Sequence, residues 1–345
     1  MPWGKFDFHQ GLNAQTFSNC KLIIRVSILF QSRSNRLSIS FVIAAVAAVL
    51  LSAFQRQDAM DKAALGRLLF FDPILSSDSS VSCASCHKPE FYFADTSAFS
   101  RGVGQGRTVR NTPSVLNMAG RELMFWDGRA HNLEHQSLFP VQDPNEMNLP
   151  VQEAIRRLNA NAHYTSLFQK VFGNSPDEKS LREAIAAFET SLETAGSRFD
   201  LAMNGKAQLS ADEKAGQKIF VGKGKCFDCH FGQDFTGDEF RNIGLYDGKK
   251  WNDRGRFNVT HDSSDLGKFK VPGLRNVAHT APYMHNGAFR TLREVIDFYA
   301  KPEKVVASAI GTDSLIRGGL PLSEKEKQQL EAFLLTLSSP PLQLK

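Results

Sequence analysis

The sequence predicts a mainly α-helical protein built from two similar domains. Three observations support this prediction: a five-residue motif occurs twice, a similar helical segment precedes each copy, and apolar residues elsewhere recur at helical spacing. The 345 residues suffice for two domains of ordinary size. A composition of 42% hydrophobic and 22% charged residues is typical of a globular chain.

The repeated motif has the pattern C-x-x-C-H. It reads CASCH at residues 83–87 and CFDCH at residues 226–230. This pattern is the attachment signal for a c-type haem, because two thiols at this spacing add across the haem vinyl groups and the adjacent histidine binds the iron. One copy would also fit a zinc half-site or a redox-active thiol pair, but two copies favour two covalent haems. The residues concerned are Cys83, Cys86, His87, Cys226, Cys229 and His230.

The segments that precede the two motifs are alike. Residues 63–70 and 215–220 each place a phenylalanine one helical turn after a glycine. Small cytochrome c domains begin in this way, with the glycine allowing close helix packing and the phenylalanine covering the haem edge. We therefore expect two cytochrome-c-like domains, each mainly α and each holding one covalent c-type haem.

Further helices are expected at residues 151–172, 180–192, 291–299 and 323–337, where apolar residues recur at helical spacing. Capping boxes open two of the expected helices, at Ser210 with Glu213 and at Ser323 with Glu326. We place the domain boundary between residues 199 and 209. This divides the chain into a leader at 1–57, a first domain at 58–200 and a second domain at 201–345.

The N-terminal region has the features of an export signal. Arg33 and Arg36 precede an apolar run at residues 37–54. The run is close to the lower limit for spanning a bilayer, so a cleaved signal peptide and an uncleaved membrane anchor both stay open. Covalent haem attachment takes place outside the bacterial cytoplasmic membrane, so we expect a periplasmic protein. The fifth cysteine, Cys20, lies in this leader and has no expected role in the mature protein.

The charge of the chain argues against nucleic-acid binding. The formal net charge is +5, and the positive residues are scattered along the chain instead of clustered. This balance is compatible with an acidic protein partner.

The sequences around the two haem signals resemble the bacterial dihaem cytochrome c peroxidase and MauG family. The matching segments are residues 110–113, 125–130, 133–136, 145–147, 270–277, 280–287 and 291–299. They follow one another in register from about residue 65 to residue 337, which makes the resemblance specific. It implies that the protein reduces hydrogen peroxide with electrons from a small redox protein such as a cytochrome c. Family peroxidases are often homodimers, and the sequence leaves the oligomeric state of this chain open.

The resemblance also assigns roles to single residues. His87 would bind the iron of the peroxidatic haem and His230 that of the electron-transfer haem. Gln136 and Glu146 match the polar pair over the peroxidatic iron, and Trp126 matches the tryptophan between the haems. Taken alone, Trp126 would be assigned to the core and Glu146 to a solvated loop. Their functional roles are favoured only because all the matching segments follow the family order together.

A calcium site is implied as well. Asn111, Thr280 and Pro282 match the family's calcium ligands through one side-chain amide and two backbone carbonyls. Oxygen ligands suit a hard cation. Asn111 precedes a Thr-Pro pair, so ordinary turn chemistry is the alternative.

The chain departs from the common family pattern at two positions. Many family peroxidases place a histidine between two glycines to cap the peroxidatic haem, whereas this chain has Val103 there. Valine cannot bind iron, so we expect a five-coordinate first haem that is open in every oxidation state. The outer ligand of the second haem is Met in typical peroxidases and Tyr in MauG. The family register places Tyr299 there, with Met284 as the competing candidate, and a phenolate lowers the potential of the iron.

Three functions stay open at this point. The first is a peroxidase, the second a MauG-like oxidase that acts on a protein or organic substrate, and the third a dihaem electron carrier without catalysis. Tyr299 and Val103 both favour the second function.

Overall fold

The computed structural model describes residues 60–344 of the chain. The expected signal peptide or anchor and Cys20 lie outside these residues. Within them, no helix is both long enough and apolar enough to span a bilayer.

Helices dominate the described residues, as the sequence predicts. In the first half they are α1 (Lys62–Phe71), α2 (Cys83–Cys86), α3 (Leu133–Gln136), α4 (Phe139–Gln142), α5 (Val151–Ala160), α6 (Ala162–Phe172) and α7 (Glu178–Thr190). They continue with α8 (Arg198–Met203), α9 (Ala211–Val221), α10 (Phe257–Thr260), α11 (Leu292–Ala300) and α12 (Glu324–Leu335). Two short strands, β1 (Phe240–Arg241) and β2 (Phe269–Lys270), pair antiparallel. Single turns of 3₁₀-helix complete the connections.

The helix expected at residues 151–172 is in fact two helices. Asn161 ends α5 and caps α6, because its side-chain oxygen accepts hydrogen bonds from the backbone N–H groups of His163 (3.0 Å) and Tyr164 (3.3 Å). The two predicted capping boxes are confirmed at the start of α9 and of α12. Helix α8 begins at residue 198, and the domain division near residue 200 stays a prediction.

The sequence repeat extends into the packing of the helices. Helix α1 crosses α7 in the first half, and α9 crosses α12 in the second. At the first crossing, a Cβ atom on Gly66 would lie 1.8 Å from the carbonyl oxygen of Ala184. At the second, a Cβ on Gly216 would lie 1.8 Å from that of Gln329. Each glycine therefore allows backbones to touch that any side chain would force apart.

An aromatic cluster lies beside each crossing. Phe70 on α1 packs against Phe188 of α7 with ring centroids 5.1 Å apart, and Phe220 on α9 packs against Phe333 of α12 at 5.2 Å. Phe70 and Phe220 are both fully buried. Phe70 also lies next to the His87 ring, at 6.3 Å between centroids. The repeated Gly and Phe thus place a packed aromatic cluster next to each C-x-x-C-H motif.

Candidate active site: two haem motifs and the residues between them

Backbone carbonyl groups fix the orientation of His87. Its Nδ1 atom lies 3.2 Å from the carbonyl oxygen of Phe93 and 3.1 Å from that of Pro113. Carbonyl oxygens only accept hydrogen bonds, so Nδ1 must carry the hydrogen. The lone pair then resides on Nε2, the atom that is left to bind a metal. Burial lowers the pKa of His87, which also favours this neutral form.

The second motif repeats this arrangement. The Nδ1 atom of His230 lies 3.0 Å from the carbonyl oxygen of Phe235 and 3.1 Å from that of Pro272. Burial lowers the pKa of His230 as well. Both histidines are therefore held ready as neutral ligands through Nε2, which is the form that haem iron requires.

The carbonyl groups that hold the histidines come from strained positions. Phe93 has φ of 58° and Phe235 has φ of 56°, in the left-handed region that bulky residues seldom adopt. Each turns its carbonyl toward a histidine while its ring enters the aromatic cluster, 6.2 Å from Phe70 in the first half and 6.1 Å from Phe220 in the second. Sequence reasoning missed both residues; the only signal is an aromatic residue five or six positions after each motif histidine.

The residues of the second half fit a haem c group. A cavity of about 310 Å³ opens beside the motif and is lined by Cys226, Cys229 and His230. Both thiols are free of disulfide bonds. Two free thiols and one oriented imidazole that face a single cavity are the donors that a covalently attached haem needs.

Most of the predicted site residues of the second half share this cavity. It is also lined by Trp126, Asn111, Thr280, Pro282, Met284 and Tyr299. Among the described residues, no group of three His, Cys, Asp or Glu side chains could hold a metal ion. The amide and carbonyl ligand set expected for calcium is of a different kind, and it stays a prediction.

Tyr299, which lines the cavity, and Tyr246, which does not, differ from the other three tyrosines because their hydroxyl groups make no hydrogen bond within residues 60–344. The hydroxyls of Tyr92, Tyr164 and Tyr283 each donate a hydrogen bond to an oxygen. The Tyr299 hydroxyl makes no such bond within residues 60–344, although burial and the nearby Cys226 and Cys229 thiols raise the pKa of Tyr299. A phenol without a protein partner on the wall of the cavity is free to bind a metal there. Met284 lines the same cavity, so the choice between the two ligands stays a prediction.

In the first half, Glu146 lies beside the other C-x-x-C-H motif. The turn at residues 101–103 joins the two: the Cys86 Sγ lies 3.9 Å from the Arg101 carbonyl oxygen, and the Val103 N–H donates to the Glu146 carbonyl. Burial raises the pKa of Glu146 to about 7, Asp143 adds to this, and Arg129 opposes it. A carboxyl with this pKa can both take up and release a proton at neutral pH.

The turn that carries Val103 packs directly on Glu146. The Val103 N–H donates to the backbone carbonyl of Glu146 at 2.8 Å. A Cβ on Gly102 would lie 2.1 Å from the carbonyl oxygen of Asn145, so this approach needs glycine. The Val103 side chain is 8% exposed and belongs to the apolar cluster of the first half. The turn thus brings an apolar side chain next to Glu146.

Gln136 is the last residue of α3. Its Oε1 atom is buried and has no hydrogen-bond partner among the described residues. Leaving a buried amide oxygen unpaired costs about 1–3 kcal/mol, so such a group is expected to serve a ligand. Neither Gln136 nor Glu146 lines the cavity of the second half.

Trp126 connects the two halves. Its indole Nε1–H donates to the carbonyl oxygen of Asn111 at 2.9 Å, and its own carbonyl accepts from the Lys270 N–H at 2.8 Å. Trp126 also lines the cavity of the second haem motif. Its place between the two haems stays a prediction.

Comparisons with known proteins show the family of this chain. The family model for di-haem cytochrome c peroxidase matches residues 60–208. The methylamine utilization protein MauG of Methylorubrum extorquens is 37% identical over 286 residues, with 81% of this chain and 79% of that protein covered. Cytochrome c551 peroxidase of Nitrosomonas europaea is 37% identical over 245 residues, with 69% and 72% covered. A solved MauG-like protein associated with microbial copper homeostasis is 33% identical with a TM-score of 0.73, and 81% of this chain and 89% of that chain are covered.

The fold and the paired motifs define a dihaem oxidoreductase enzyme. The chain belongs to the di-haem cytochrome c peroxidase family, which confirms the family resemblance and the expectation of two haem cofactors.

Proposed function

We propose that this protein reduces hydrogen peroxide to water, with electrons from an external donor such as a small cytochrome c. Each turnover consumes one peroxide, two electrons and two protons and releases two water molecules. The observation that carries this proposal is Glu146, a half-buried carboxyl with a pKa of about 7 beside the first haem motif. A haem electron carrier has no need of a group tuned to transfer protons at neutral pH.

The two haems supply the redox chemistry when bound, and the chain supplies ligands and proton transfer. In our assignment Cys83 and Cys86 attach the first haem and Cys226 and Cys229 the second. His87 and His230 are the inner ligands of the irons.

Glu146 and Gln136 act on the peroxide. Glu146 would take a proton from one oxygen of the peroxide and deliver it to the other, which leaves as water. The remaining oxygen would leave as the second water once two electrons and two protons have been supplied. Gln136 orients the peroxide through its buried amide, whose oxygen is otherwise without a partner. Val103 leaves the site accessible because its side chain has no atom that binds iron.

The second half stores and relays electrons in this assignment. Tyr299 would bind the iron of the second haem, in preference to Met284. Asn111, Thr280 and Pro282 hold a calcium ion, and Trp126 passes electrons between the two haem sites. Export to the periplasm follows from the covalent attachment of haem, with the leader as signal peptide or anchor.

A MauG-like oxidase is the second candidate. One observation favours it: the Tyr299 hydroxyl has no protein partner within residues 60–344, and a phenolate ligand favours highly oxidised iron. In that case the oxidising power would be used on a protein or organic substrate instead of being returned to water by a cytochrome.

The ferric absorption spectrum of the purified protein tests the proposal. We expect one high-spin and one low-spin haem, with the high-spin component lost when peroxide is added. Steady-state turnover of peroxide with reduced cytochrome c then supports the peroxidase, whereas a peroxide reaction without such turnover favours the oxidase. Two low-spin haems that do not respond to peroxide would leave only the electron carrier.

A further inference from the structure

We propose that Arg110 is a positioning residue that fixes the indole ring of Trp126 by tying Asp127 to Asp253. The inference rests on the proposed function in one respect, namely that electrons pass between the two haem sites through Trp126. In each transfer one electron leaves the second site and one arrives at the first, and Trp126 ends in its starting state.

Arg110 makes ion pairs with carboxylates from both halves of the chain. Its Nη1 donates to Asp127 at 2.6 Å, while its Nε and Nη2 donate to the two oxygens of Asp253 at 2.7 and 2.9 Å. The Arg110 side chain is 12% exposed. Two parallel hydrogen bonds from a planar guanidinium to one carboxylate define the orientation of both groups.

The Arg110–Asp127 ion pair lies next to the hydrogen bond that holds the indole of Trp126. Asn111, which follows Arg110, accepts the Trp126 Nε1–H at 2.9 Å, and Asp127 follows Trp126 directly. The Arg110–Asp127 ion pair and the Trp126–Asn111 hydrogen bond therefore join the same two backbone segments at adjacent residues. Such a closed ring of contacts leaves the indole little freedom to rotate or to shift.

Residues of the second half contact both Arg110 and Trp126. Asp253 accepts the Gly255 N–H at 2.9 Å, which fixes the carboxylate that receives the fork of Arg110. The Lys270 N–H donates to the Trp126 carbonyl at 2.8 Å. The neighbouring Phe269 ring lies 5.4 Å from the Arg110 guanidinium carbon. Trp126 is therefore anchored to the second half at two places.

Electrostatics favour the charged forms of Arg110 and Asp253 that the ion pair requires. Hydrogen bonds to Asp253 and Asp127 raise the pKa of Arg110 despite its burial, and Arg110 lowers the pKa of Asp253. Asp127 keeps a second partner, because Arg129 Nη1 lies 3.0 Å from its Oδ1. Loss of Arg110 therefore leaves Asp127 paired with Arg129. It mainly frees the Asp253 side chain and breaks the connection that Arg110 makes between the halves.

The test compares Arg110→Gln, Arg110→Lys and Asp253→Asn with the wild type, each loaded with both haems. The first measurement is the rate at which an electron injected by flash photolysis equilibrates between the haems. The second is the ultraviolet resonance Raman band of the indole N–H, assigned by comparison with Trp126→Phe. Arg157→Gln serves as the control, because all partners of Arg157, the Glu153 carboxylate and three backbone carbonyls, lie within the first half.

We expect Arg110→Gln and Asp253→Asn to slow equilibration by roughly tenfold and to shift the indole band, because small displacements of a reacting group are costly. Arg110→Lys falls between them and the wild type, because an ammonium cannot reproduce the fork. The initial reaction of the first site with peroxide and the behaviour of Arg157→Gln stay as in the wild type.

Equilibration within about twofold of the wild type, with an unshifted band, would overturn the proposal, because a positioning residue must alter both. Equal slowing in Arg157→Gln would overturn it too, since that indicates general loosening. If Arg110→Gln does not fold, the same two measurements on Asp253→Asn test the proposal. That variant keeps the Arg110–Asp127 ion pair and removes only the charge of Asp253. A wild type that equilibrates electrons but does not react with peroxide would refute the proposed function and leave this inference standing.

Discussion

At the scale of single residues, the surroundings of Glu146 set the pKa of its carboxyl group. Burial and Asp143 raise its pKa and Arg129 lowers it, with the result near 7. We expect Glu146→Gln to slow the reaction with peroxide by about 10² to 10⁴, because the amide keeps the shape but cannot accept a proton. Stopped-flow absorption of the ferric protein measures this rate, and the haem content of the variant must equal that of the wild type.

The pH dependence provides the control for this prediction. Proton uptake requires the carboxylate form, so the wild-type rate should rise with pH around 7 and level off above it. This rise should be absent in Glu146→Gln. A variant that reacts as fast as the wild type, with the same pH profile, would remove Glu146 from the mechanism.

The ligand of the second haem is a separate question at the same scale. We expect Tyr299→Phe to change the spectrum of the low-spin haem, because the phenyl ring has no atom that can bind iron. Met284→Ala should leave that spectrum unchanged, since Met284 then only packs against the haem. Absorption and magnetic circular dichroism of the ferric variants make the comparison. A change in Met284→Ala alone would reverse the assignment.

At the scale of the elements, the two glycines at the helix crossings determine how closely the helices of each half approach. A Cβ on Gly216 would lie 1.8 Å from the carbonyl oxygen of Gln329, so α9 and α12 would have to separate. Alanine favours the helix by about 1 kcal/mol over glycine, but overpacking costs about 1–3 kcal/mol and a clash with backbone lies at the upper end. We therefore expect Gly216→Ala to lower the free energy of unfolding.

Urea unfolding of the haem-loaded protein measures this effect, and Gly66→Ala should behave in the same way because its Cβ would meet Ala184 at the same distance. Gln169→Ala on the exposed face of α6 is the control and should change the stability by less than about 0.5 kcal/mol. A Gly216→Ala variant as stable as the wild type would show that the crossing can relax.

At the scale of the whole molecule, the features that the sequence predicts are those that depend on nearby residues. The C-x-x-C-H motifs, the Gly and Phe of α1 and α9, and the capping boxes of α9 and α12 all act within a few positions of the chain. The end of α5 at Asn161 is also a local feature. It could not be predicted because apolar residues continue at helical spacing on both sides of Asn161.

Features that join distant segments could not be predicted in this way. Arg110 and Asp253 are 143 positions apart, and nothing in either neighbourhood indicates the pair. The carbonyl groups of Phe93 and Phe235 hold the histidines because of a left-handed backbone, which no residue preference of phenylalanine predicts. The assignments of Glu146, Gln136 and Trp126 depended on the family register, because their burial and partners come from tertiary packing.

Our proposal gives two similar halves of the molecule unequal tasks, and the turn around Val103 tests this division most directly. Val103 is buried, and its N–H donates to the backbone carbonyl of Glu146. The family register predicts that a side chain at this position lies beside the first haem. We expect Val103→His to supply a sixth ligand, convert the high-spin haem to low spin and suppress the reaction of the ferric protein with peroxide. Val103→Leu, which adds bulk but no ligand, should keep the high-spin signal. Electron paramagnetic resonance separates the two outcomes, and an unchanged high-spin signal in the haem-loaded histidine variant would mean that this turn does not control access to the first haem.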